Sequence, residues 1–258
     1  MLINSPLQVR EVFHLEFLRW LGRKLKPDTY VLKGGVNLRF FFHSIRYSED
    51  IDLDVERVAV DTLIEMVMNV LNSQSFQDTL RPFGIEKIIP PDIKKAKQTQ
   101  TTQPFKVHLI TASGEDLFIK IEFSRRGFKE GVRVEEVMDT VLRAYKLPPI
   151  LVPHYDADSM VSQKIKALVT RAFLQARDVF DLHLLSSQYD KSRALLIEKN
   201  ILKKAYQNVL EISFEQFRDS VVSYLSVEDQ NVYDTRSVWD GIKLKVCNFI
   251  DELINGKT

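Results

Sequence analysis

The sequence has a single cysteine, Cys247, and no long stretch of apolar residues that is free of charge. One cysteine excludes an internal disulfide framework and fits a reducing compartment. The first residues, MLINSPLQVREVFHLEF, also lack a basic segment followed by an apolar core. We therefore expect no membrane span and no signal peptide, and we expect a cytoplasmic protein.

The chain also lacks an excess of one charge sign, because 36 basic side chains face 35 acidic ones and the net charge is +1. A basic surface spread over the whole chain is therefore excluded. If the protein acts on nucleic acids, its positive charge must be gathered locally. The length of 258 residues is sufficient to bury a substantial core.

The spacing of apolar residues predicts strands and helices in the first half of the chain. Alternation of apolar and polar residues predicts strands over 50–55, 106–112 and 116–123, the last two forming an antiparallel hairpin. Helical spacing predicts helices over 7–25, 36–42 and 60–71. The polar, basic segment between Pro90 and Pro104 has no periodicity, which predicts a mobile loop.

The second half of the chain has only helical periodicity. No strand signal follows Pro148, Pro149 and Pro153, and helices are predicted over 157–173, 176–185, 195–210, 214–225 and 238–253. The predicted fold class is therefore α+β. Residues 1–147 would form a mixed sheet with helices, and residues 148–258 would form a helical bundle.

Three aspartates alternate with apolar residues in the predicted strand Asp50-Ile51-Asp52-Leu53-Asp54-Val55. Residues two apart in a strand share a face, so the three carboxylates would project together, away from the core. Crowded like charges are unfavourable there unless a divalent cation such as Mg²⁺ binds them. We expect Asp50 and Asp52 to be metal ligands and Asp54, farther along the strand, to face solvent. An exposed edge strand with acidic residues that prevent aggregation is the alternative.

Glu122 is a candidate third ligand. It lies on the predicted strand 116–123, where Ile119, Ile121 and Phe123 would face inward and Glu122 outward. If this strand pairs near the acidic one, Glu122 completes a carboxylate cluster. A solvated glutamate on an amphipathic strand is the equally weighted alternative.

Lys33-Gly34-Gly35 stands between a short apolar run and a predicted helix. Glycines at such a junction allow the backbone to approach a phosphate, and the N-terminus of a helix favours negative charge. A pair of glycines also occurs in any tight turn. The glycine pair becomes a more specific signal together with its neighbours, because Arg46, Ser48 and the acidic strand follow it closely.

The string YVLKGGVNLRFFFHSIRYSEDIDLDV looks like the minimal nucleotidyltransferase core and more closely resembles the AbiEii/AbiGii family of nucleotidyltransferase toxins. Two further blocks are similar to motifs of that family, DSMVSQKIKALVTR with Lys164 and ARDVFDL with Asp178 and Asp181. The three blocks stand in the family's order within residues 30–185. The wider superfamily usually has serine where Gly35 stands, so phosphate contact here would depend on backbone N–H groups.

This resemblance implies a nucleotidyltransferase-like sheet domain over 1–147 and a helical domain over 148–258 that contributes to the site. It implies Mg²⁺ held by Asp50, Asp52 and Glu122. The implied catalytic residues are Asp50, Asp52, Lys164 and Asp181. The implied substrate-binding residues are Lys33, Gly34, Gly35, Arg46, Ser48, Arg171 and Asp178. The resemblance favours Asp181 and Asp178 as residues that orient Lys164 or Arg171 or approach the nucleotide. From residue types alone, Lys164 could equally belong to a solvated helix face, and Arg177 and Asp181 could form a surface ion pair.

The same resemblance implies a function. The chain would be a toxin of an abortive-infection type of toxin–antitoxin system that transfers a nucleotidyl group from a nucleoside triphosphate to RNA, with the 3′ end of tRNA as the expected acceptor. Its partner would be a separate antitoxin similar to winged-helix DNA-binding repressors. The alternatives are transfer to a hydroxyl of a small molecule or protein, and a catalytically inactive nucleotide-binding module.

A path for RNA is a further hypothesis. Its candidate residues are Lys94, Lys95, Lys97, Arg125, Arg126 and, for stacking, Phe128. Residues of this kind belong more often to a solvated loop.

Overall fold

The structure of the protein is a computed structural model that describes residues 5–93, 99–128, 131–190 and 197–256. The chain forms two compact units. The first unit comprises Met1–Phe41 and Tyr47–Tyr155, and the second comprises Phe42–Arg46 and Asp156–Thr258. The short segment Phe42–Arg46 therefore belongs to the second unit, although in the sequence it stands between the two segments of the first unit.

A mixed sheet forms the centre of the first unit. In the described residues its strands are β1 (Tyr30–Lys33), β2 (Ile51–Val55), β3 (Ile85–Ile89), β4 (Thr102–Thr111), β5 (Asp116–Ser124), β6 (Val132–Glu136) and β7 (Leu151–Tyr155). The strand order is β3-β4-β5-β2-β1-β7-β6. β2 runs parallel to β5 and antiparallel to β1, while β7 runs parallel to β1. The acidic strand therefore lies inside the sheet, and the edge-strand alternative is wrong.

Helices cover the apolar face of this sheet. They are α1 (Pro6–Leu21), α2 (Gly34–Phe41), α3 (Val60–Leu71), α4 (Gln74–Leu80) and α5 (Asp139–Ala144). α1 begins with a capping box, in which the Ser5 side chain accepts from the backbone N–H of Gln8 and the Gln8 side chain accepts from Ser5. The buried residues Ile51, Leu53 and Val55 of β2 join the same core as the apolar faces of α1 and α3.

The second unit is helical. Its helices are α6 (Ala157–Thr170), α7 (Ala176–Leu185), α8 (Lys199–Glu211), α9 (Phe214–Ser220), α10 (Val227–Tyr233) and α11 (Arg236–Asn255). α6 packs against α7 and α8, and α11 packs against α7 and α8. Asp156 begins α6 by accepting a hydrogen bond from the backbone of Ser159, and the fully buried Trp239 lies in the core of this unit.

The predicted α+β fold class is confirmed, and so is the hairpin of β4 and β5. The prediction that strands end before Pro153 is wrong, because β7 contains Pro153 and continues to Tyr155. A proline lacks an N–H donor and therefore often interrupts a strand. β7 nevertheless pairs with β6 on one side and with β1 at His154. The strands β3 and β6 were also not predicted.

Several predicted helices are shorter than expected. α1 ends at Leu21 and not at residue 25, and α6 ends at Thr170 because Arg171 adopts an extended conformation. The segment 214–225 is divided into α9 and a 3-10 turn over Val222–Tyr224. Of the predicted loop between Pro90 and Pro104, residues 94–98 lie outside the described part, and Thr102 already belongs to β4. Over the described ranges, each helix is too short or too polar to cross a membrane.

Candidate active site

The carboxylates of the acidic strand lie on the face of β2 that points away from the core. Ile51, Leu53 and Val55 are fully buried, so the alternating residues Asp52 and Asp54 project from the opposite face. Asp50 precedes the strand by one residue, and the Ser48 hydroxyl donates to its backbone carbonyl at 2.8 Å. Ser48 therefore stabilises the turn that presents Asp50.

Glu122 lies beside Asp52. β2 and β5 are parallel with Asp52 opposite Glu122, which brings these two side chains to neighbouring positions on one face. The strand of Glu122 therefore pairs with the acidic strand, as a shared carboxylate cluster requires. The side chains of Glu122 and Asp50 are 33% and 40% exposed, so both can be reached from solvent.

Lys120 lies among these carboxylates and was not predicted. Its Nζ is 3.1 Å from Glu122 Oε2 and 3.7 Å from Asp50 Oδ2, and its backbone N–H donates to Asp50 Oδ1 at 3.0 Å. Burial lowers the pKa of Lys120, but its hydrogen bond to Glu122 and the surrounding carboxylates outweigh this, so the pKa is raised and the ammonium stays charged. We refer to Asp50, Asp52, Glu122 and Lys120 as the open cluster.

Asp52 is the most deeply placed carboxylate of the open cluster. Burial raises its pKa most, Lys33 opposes that shift, and the negative charges of Glu122 and Asp50 add to it. The glycine turn lies directly against this side chain. Gly34 has φ +72°, and a Cβ at this position would lie 2.7 Å from Asp52 Oδ2. The site therefore needs glycine at position 34 both for backbone conformation and for space.

Asp54 does not face solvent, and that prediction is wrong. It is buried, and its two carboxylate oxygens accept hydrogen bonds from Lys33 Nζ and from the Tyr155 hydroxyl, each at 2.6 Å. Burial raises the pKa of Tyr155, and the bond to the Asp54 carboxylate adds to the shift. The side chain of Lys33, a predicted substrate-binding residue, is thus bonded to Asp54 and links β1 to β2.

The open cluster has the donor chemistry that Mg²⁺ prefers, since its anions are carboxylate oxygens. Within residues 5–93, 99–128, 131–190 and 197–256, however, no three His, Cys, Asp or Glu side chains already surround one point as metal ligands. The Lys120 ammonium, which contacts two of the three carboxylates, is the positive charge now among them. The ligand chemistry of Asp50, Asp52 and Glu122 suits Mg²⁺, and these are the residues that would hold it.

A second group of charged residues lies inside the helical unit. Lys164 Nζ is 2.6 Å from Asp181 Oδ2 and 3.1 Å from Asp178 Oδ1, and Arg46 Nη2 lies 3.2 Å from each oxygen of Asp181. Both aspartates are fully buried, and Arg46 and Lys164 are 4% and 8% exposed. We refer to these four residues as the buried cluster. The alternatives of a solvated Lys164 and of a surface pair between Arg177 and Asp181 are wrong.

Charge matching keeps Lys164 and Asp181 ionised. Burial alone would raise the pKa of Asp181 and lower that of Lys164. The attraction of Arg46 and Lys164 outweighs burial for Asp181, and that of Asp181 and Asp178 outweighs it for Lys164. The pKa of Asp181 is therefore lowered and that of Lys164 raised. Arg171 extends the network to the surface, because its Nε lies 2.9 Å from Asp178 Oδ2 while its side chain is 40% exposed.

The proposed RNA path is only partly described. Lys94, Lys95 and Lys97 lie outside the described residues. The guanidinium of Arg125 is half-buried and donates to the Gln103 side chain and to the Val58 carbonyl. Arg126 is exposed.

Sequence reasoning missed Lys120, Tyr155 and His14. Lys120 and Glu122 share a strand face by simple alternation, so the pattern itself could have indicated their contact. Nothing local indicates that Tyr155 would reach Asp54, 101 residues away. The fully buried His14 of α1 forms a hydrogen bond to the backbone of Glu49, directly before Asp50, and burial lowers its pKa to about 3.

Several solved structures share the fold of this chain. The fold is similar to that of a candidate nucleotidyltransferase from H. pylori, with a TM-score of 0.60, 16% identity and coverage of 98% of this chain and 96% of that one. It is also similar to JHP933 from Helicobacter pylori, with a TM-score of 0.57, 18% identity and coverage of 98% and 94%. MenT4, a nucleotidyltransferase toxin from Mycobacterium tuberculosis, has a TM-score of 0.61 at 16% identity and coverage of 96% and 85%. At these identities the likeness shows the fold.

No curated protein matches the sequence. The family model described as nucleotidyl transferase AbiEii toxin of type IV toxin–antitoxin systems matches residues 16–230, which is most of the chain and includes both clusters. Such a match also implies a nucleoside triphosphate as substrate and an antitoxin as partner. The chain thus belongs to the AbiEii family of nucleotidyltransferase toxins, and it is a nucleotidyltransferase.

Proposed function

We propose that the protein transfers a nucleotidyl group from a nucleoside triphosphate to an RNA acceptor, with the 3′ end of tRNA as the expected acceptor, and that it needs Mg²⁺. The observation that carries the proposal is the open cluster, where Asp52 and Glu122 stand opposite each other and Gly34 lies against Asp52. We place the reaction in the cytoplasm, where triphosphates and tRNA are both present.

In the proposed reaction, a hydroxyl of the acceptor attacks the α-phosphorus of the triphosphate. A new O–P bond forms while the bond between the α-phosphorus and the pyrophosphate oxygen breaks, and the hydroxyl proton passes to water. Asp50, Asp52 and Glu122 would hold Mg²⁺, which supplies positive charge for the phosphate oxygens and activates the hydroxyl. The half-exposed carboxylates of Asp50 and Glu122 support this assignment, because a ligand can reach them.

Backbone N–H groups at Gly34 and Gly35 would contact the triphosphate in the proposed site. α2 begins at Gly34, so its first N–H groups have no partner within the helix and are suited to an anion. Lys33 would act by orienting the acidic strand through Asp54 rather than by contact with substrate, and Ser48 by holding the turn at Asp50. The side chains of both residues are already bonded inside the first unit.

In the second unit, Lys164 would stabilise the negative charge of the leaving pyrophosphate. Asp181 supports this role, because it contacts the ammonium at 2.6 Å and keeps it protonated. Arg46 and Asp178 would be positioning residues that fix Asp181 and Arg171, respectively. Arg171, whose side chain is 40% exposed, would contact the nucleotide directly.

The antitoxin partner would be a winged-helix protein similar to DNA-binding repressors. The family supports an antitoxin, and the resemblance of the three sequence blocks supports this particular class. A small winged-helix gene beside the gene for this chain would agree with the proposal, and its absence from related genomes would count against it.

The proposal is tested by incubating the purified protein with each labelled triphosphate, Mg²⁺ and total RNA. We expect label in a band of the size of tRNA, lost with EDTA and in Asp52→Ala. Label on protein or on a small molecule would show that the acceptor is not RNA. Binding of triphosphate without transfer to any acceptor would leave an inactive nucleotide-binding module and overturn the proposed reaction.

A further inference from the structure

Lys120 makes more contacts with the open cluster than its place on a half-exposed strand face requires. Its ammonium contacts Glu122 Oε2 and Asp50 Oδ2, while its backbone N–H holds Asp50 Oδ1. One residue thus engages both oxygens of Asp50 and one oxygen of Glu122. The side chain is only 32% exposed, so it does not simply extend into solvent.

The charges of this face explain why the lysine is held there. Lys33 is bonded to Asp54 at 2.6 Å, and Lys120 is the cation in contact with Asp50 and Glu122. Three carboxylates on one sheet face repel each other, and an ammonium at 3–4 Å reduces that repulsion. Lys120 therefore does, in part, what a bound metal ion would do.

An ammonium and a divalent cation between the same carboxylates repel each other and compete for the same oxygens, so each disfavours the other. We propose that Lys120 is a tethered counter-cation, which neutralises the open cluster of the metal-free protein and must leave it when Mg²⁺ binds. Lys120 is then a positioning residue that sets the affinity for the metal. This inference depends on the proposed magnesium site.

The two contacts of Lys120 with Asp50 would behave differently during this exchange. The bond from its backbone N–H to Asp50 Oδ1 belongs to the main chain of β5 and stays in place when the side chain moves. Asp50 therefore remains oriented while the ammonium leaves Asp50 Oδ2 and Glu122. Only a rotation of the lysine side chain is needed, with no change in the sheet.

Calorimetric titration of the nucleotide-free protein with Mg²⁺ alone tests the inference without measuring activity. We expect Lys120→Met to bind Mg²⁺ about tenfold more tightly than the wild type, because a competing positive charge is removed. Lys120→Arg, which keeps the charge, should bind close to the wild-type value. Without metal, Lys120→Met should melt at a lower temperature than the wild type, and Mg²⁺ should raise its melting temperature more.

Lys106→Met is the matched control. Lys106 lies directly opposite Lys120 on β4 and on the same face, but its ammonium lies over the Phe118 ring and not at the carboxylates. It should leave Mg²⁺ affinity unchanged. Unchanged or weaker binding in Lys120→Met beside a binding wild type would overturn the role of Lys120 and leave the metal site intact.

The two proposals can fail separately. If neither the wild type nor Lys120→Met binds Mg²⁺, the magnesium site and the role of Lys120 are both rejected. If the wild type shows no heat of binding but Lys120→Met does, the lysine competes strongly and the inference is supported. Asp52→Asn in the Lys120→Met background should then remove the binding.

Discussion

The open cluster and the buried cluster contain the same kinds of side chain but differ in balance and in exposure. In the buried cluster two cations face two carboxylates, and both carboxylates are fully buried. In the open cluster one ammonium faces three carboxylates, two of which are half-exposed. The open cluster thus has an excess of negative charge, which the buried cluster does not have.

This difference indicates how each group contributes to function. Buried ions are tolerated only when they are paired. The buried cluster balances its charges internally, because Lys164 contacts both aspartates and Arg46 contacts Asp181. An unbalanced group that solvent can reach is suited to bind a cation, and perturbed pKa values such as that of Asp52 are typical of functional sites. Substitutions in the two clusters should therefore affect different properties.

The largest expected effect is on activity, from Asp52→Asn in the open cluster. We expect nucleotidyl transfer to fall by roughly a thousandfold, about 4 kcal/mol of transition-state stabilisation, because a neutral amide is a poor ligand for Mg²⁺. Stability should respond in the opposite direction. The pKa of Asp52 is raised in the folded protein, so its contribution to stability is lost as pH rises through that pKa, and an amide removes this loss.

Transfer assays and thermal melting of the metal-free protein at neutral pH check this prediction. Asp52→Asn should melt at or above the wild-type temperature. An active variant, or an inactive one that melts clearly lower, would mean that Asp52 serves the fold rather than the chemistry.

The next largest effect is on stability, from Asp181→Ala in the buried cluster. The change leaves Lys164 and Arg46 buried beside a missing carboxylate, and we expect the free energy of unfolding to fall by about 3 kcal/mol or more. Asp219→Ala in the same unit is the control. Asp219 is exposed, so its removal should change stability by only about 0.5 kcal/mol or less.

The two tryptophans allow each unit to be followed separately during urea unfolding. Trp20 lies on α1 in the first unit, and Trp239 lies in the core of the second. In a Trp20→Phe background, fluorescence reports on the second unit alone, where Asp181→Ala should shift the transition. If it shifts no further than Asp219→Ala, the buried cluster does not stabilise that unit.

The stability of the two units should also depend differently on pH. His14 has a native pKa of about 3 because burial disfavours its charged form, whereas an ordinary histidine titrates near 6.5. Its contribution to stability is complete above pH 6.5 and decreases as pH falls towards 3, by about 1.4 kcal/mol per pH unit. Asp181, with a pKa below its ordinary value of 3.8, loses its contribution only in stronger acid.

Urea unfolding between pH 7 and pH 4 in a Trp239→Phe background, where Trp20 reports on the first unit, measures this dependence. We expect stability to fall with pH in that unit, and His14→Gln to flatten the curve. A curve of unchanged slope in His14→Gln would show that other groups cause the acid sensitivity.

Alternation along the chain predicts the faces that carry the three carboxylates of the open cluster, but it did not lead to Lys120 among them. It placed Asp50 and Asp52 opposite the core and Glu122 on the outer face of its own strand, because side-chain direction in a strand has a period of two. The pairing of β2 with β5 was not predictable from this pattern, since register depends on contacts between distant segments. For the same reason Asp54 was expected in solvent, whereas its burial depends on Tyr155.

The buried cluster was predicted in part. Asp181 and Asp178 were expected to orient Lys164 or Arg171, and these contacts are present, whereas the contact of Arg46 with Asp181 was not predicted. The motifs with Lys164 and Asp181 were recognised by resemblance, while helical spacing alone left them on a solvated face. Arg46 lies 135 residues before Asp181 and belongs to a short segment that joins the second unit from within the first half of the chain. No local pattern predicts that this segment belongs to the second unit, because the ion pair of Arg46 with Asp181 forms only when the chain folds.

The smallest expected effect concerns Gly34 in the glycine turn. Comparison with Gly84 distinguishes the backbone requirement for glycine from the space required by the open cluster. Gly34 and Gly84 both have positive φ, +72° and +87°, so alanine at either position should destabilise the protein by about 1 kcal/mol. A Cβ at Gly84 meets nothing within 4 Å, whereas at Gly34 it lies 2.7 Å from Asp52 Oδ2 and would displace that carboxylate. Gly34→Ala should therefore also reduce nucleotidyl transfer by about tenfold, which corresponds to about 1.4 kcal/mol. Thermal melting and transfer assays of both variants test this, and equal activity in the two would mean that contact with Asp52 is not what requires glycine at position 34.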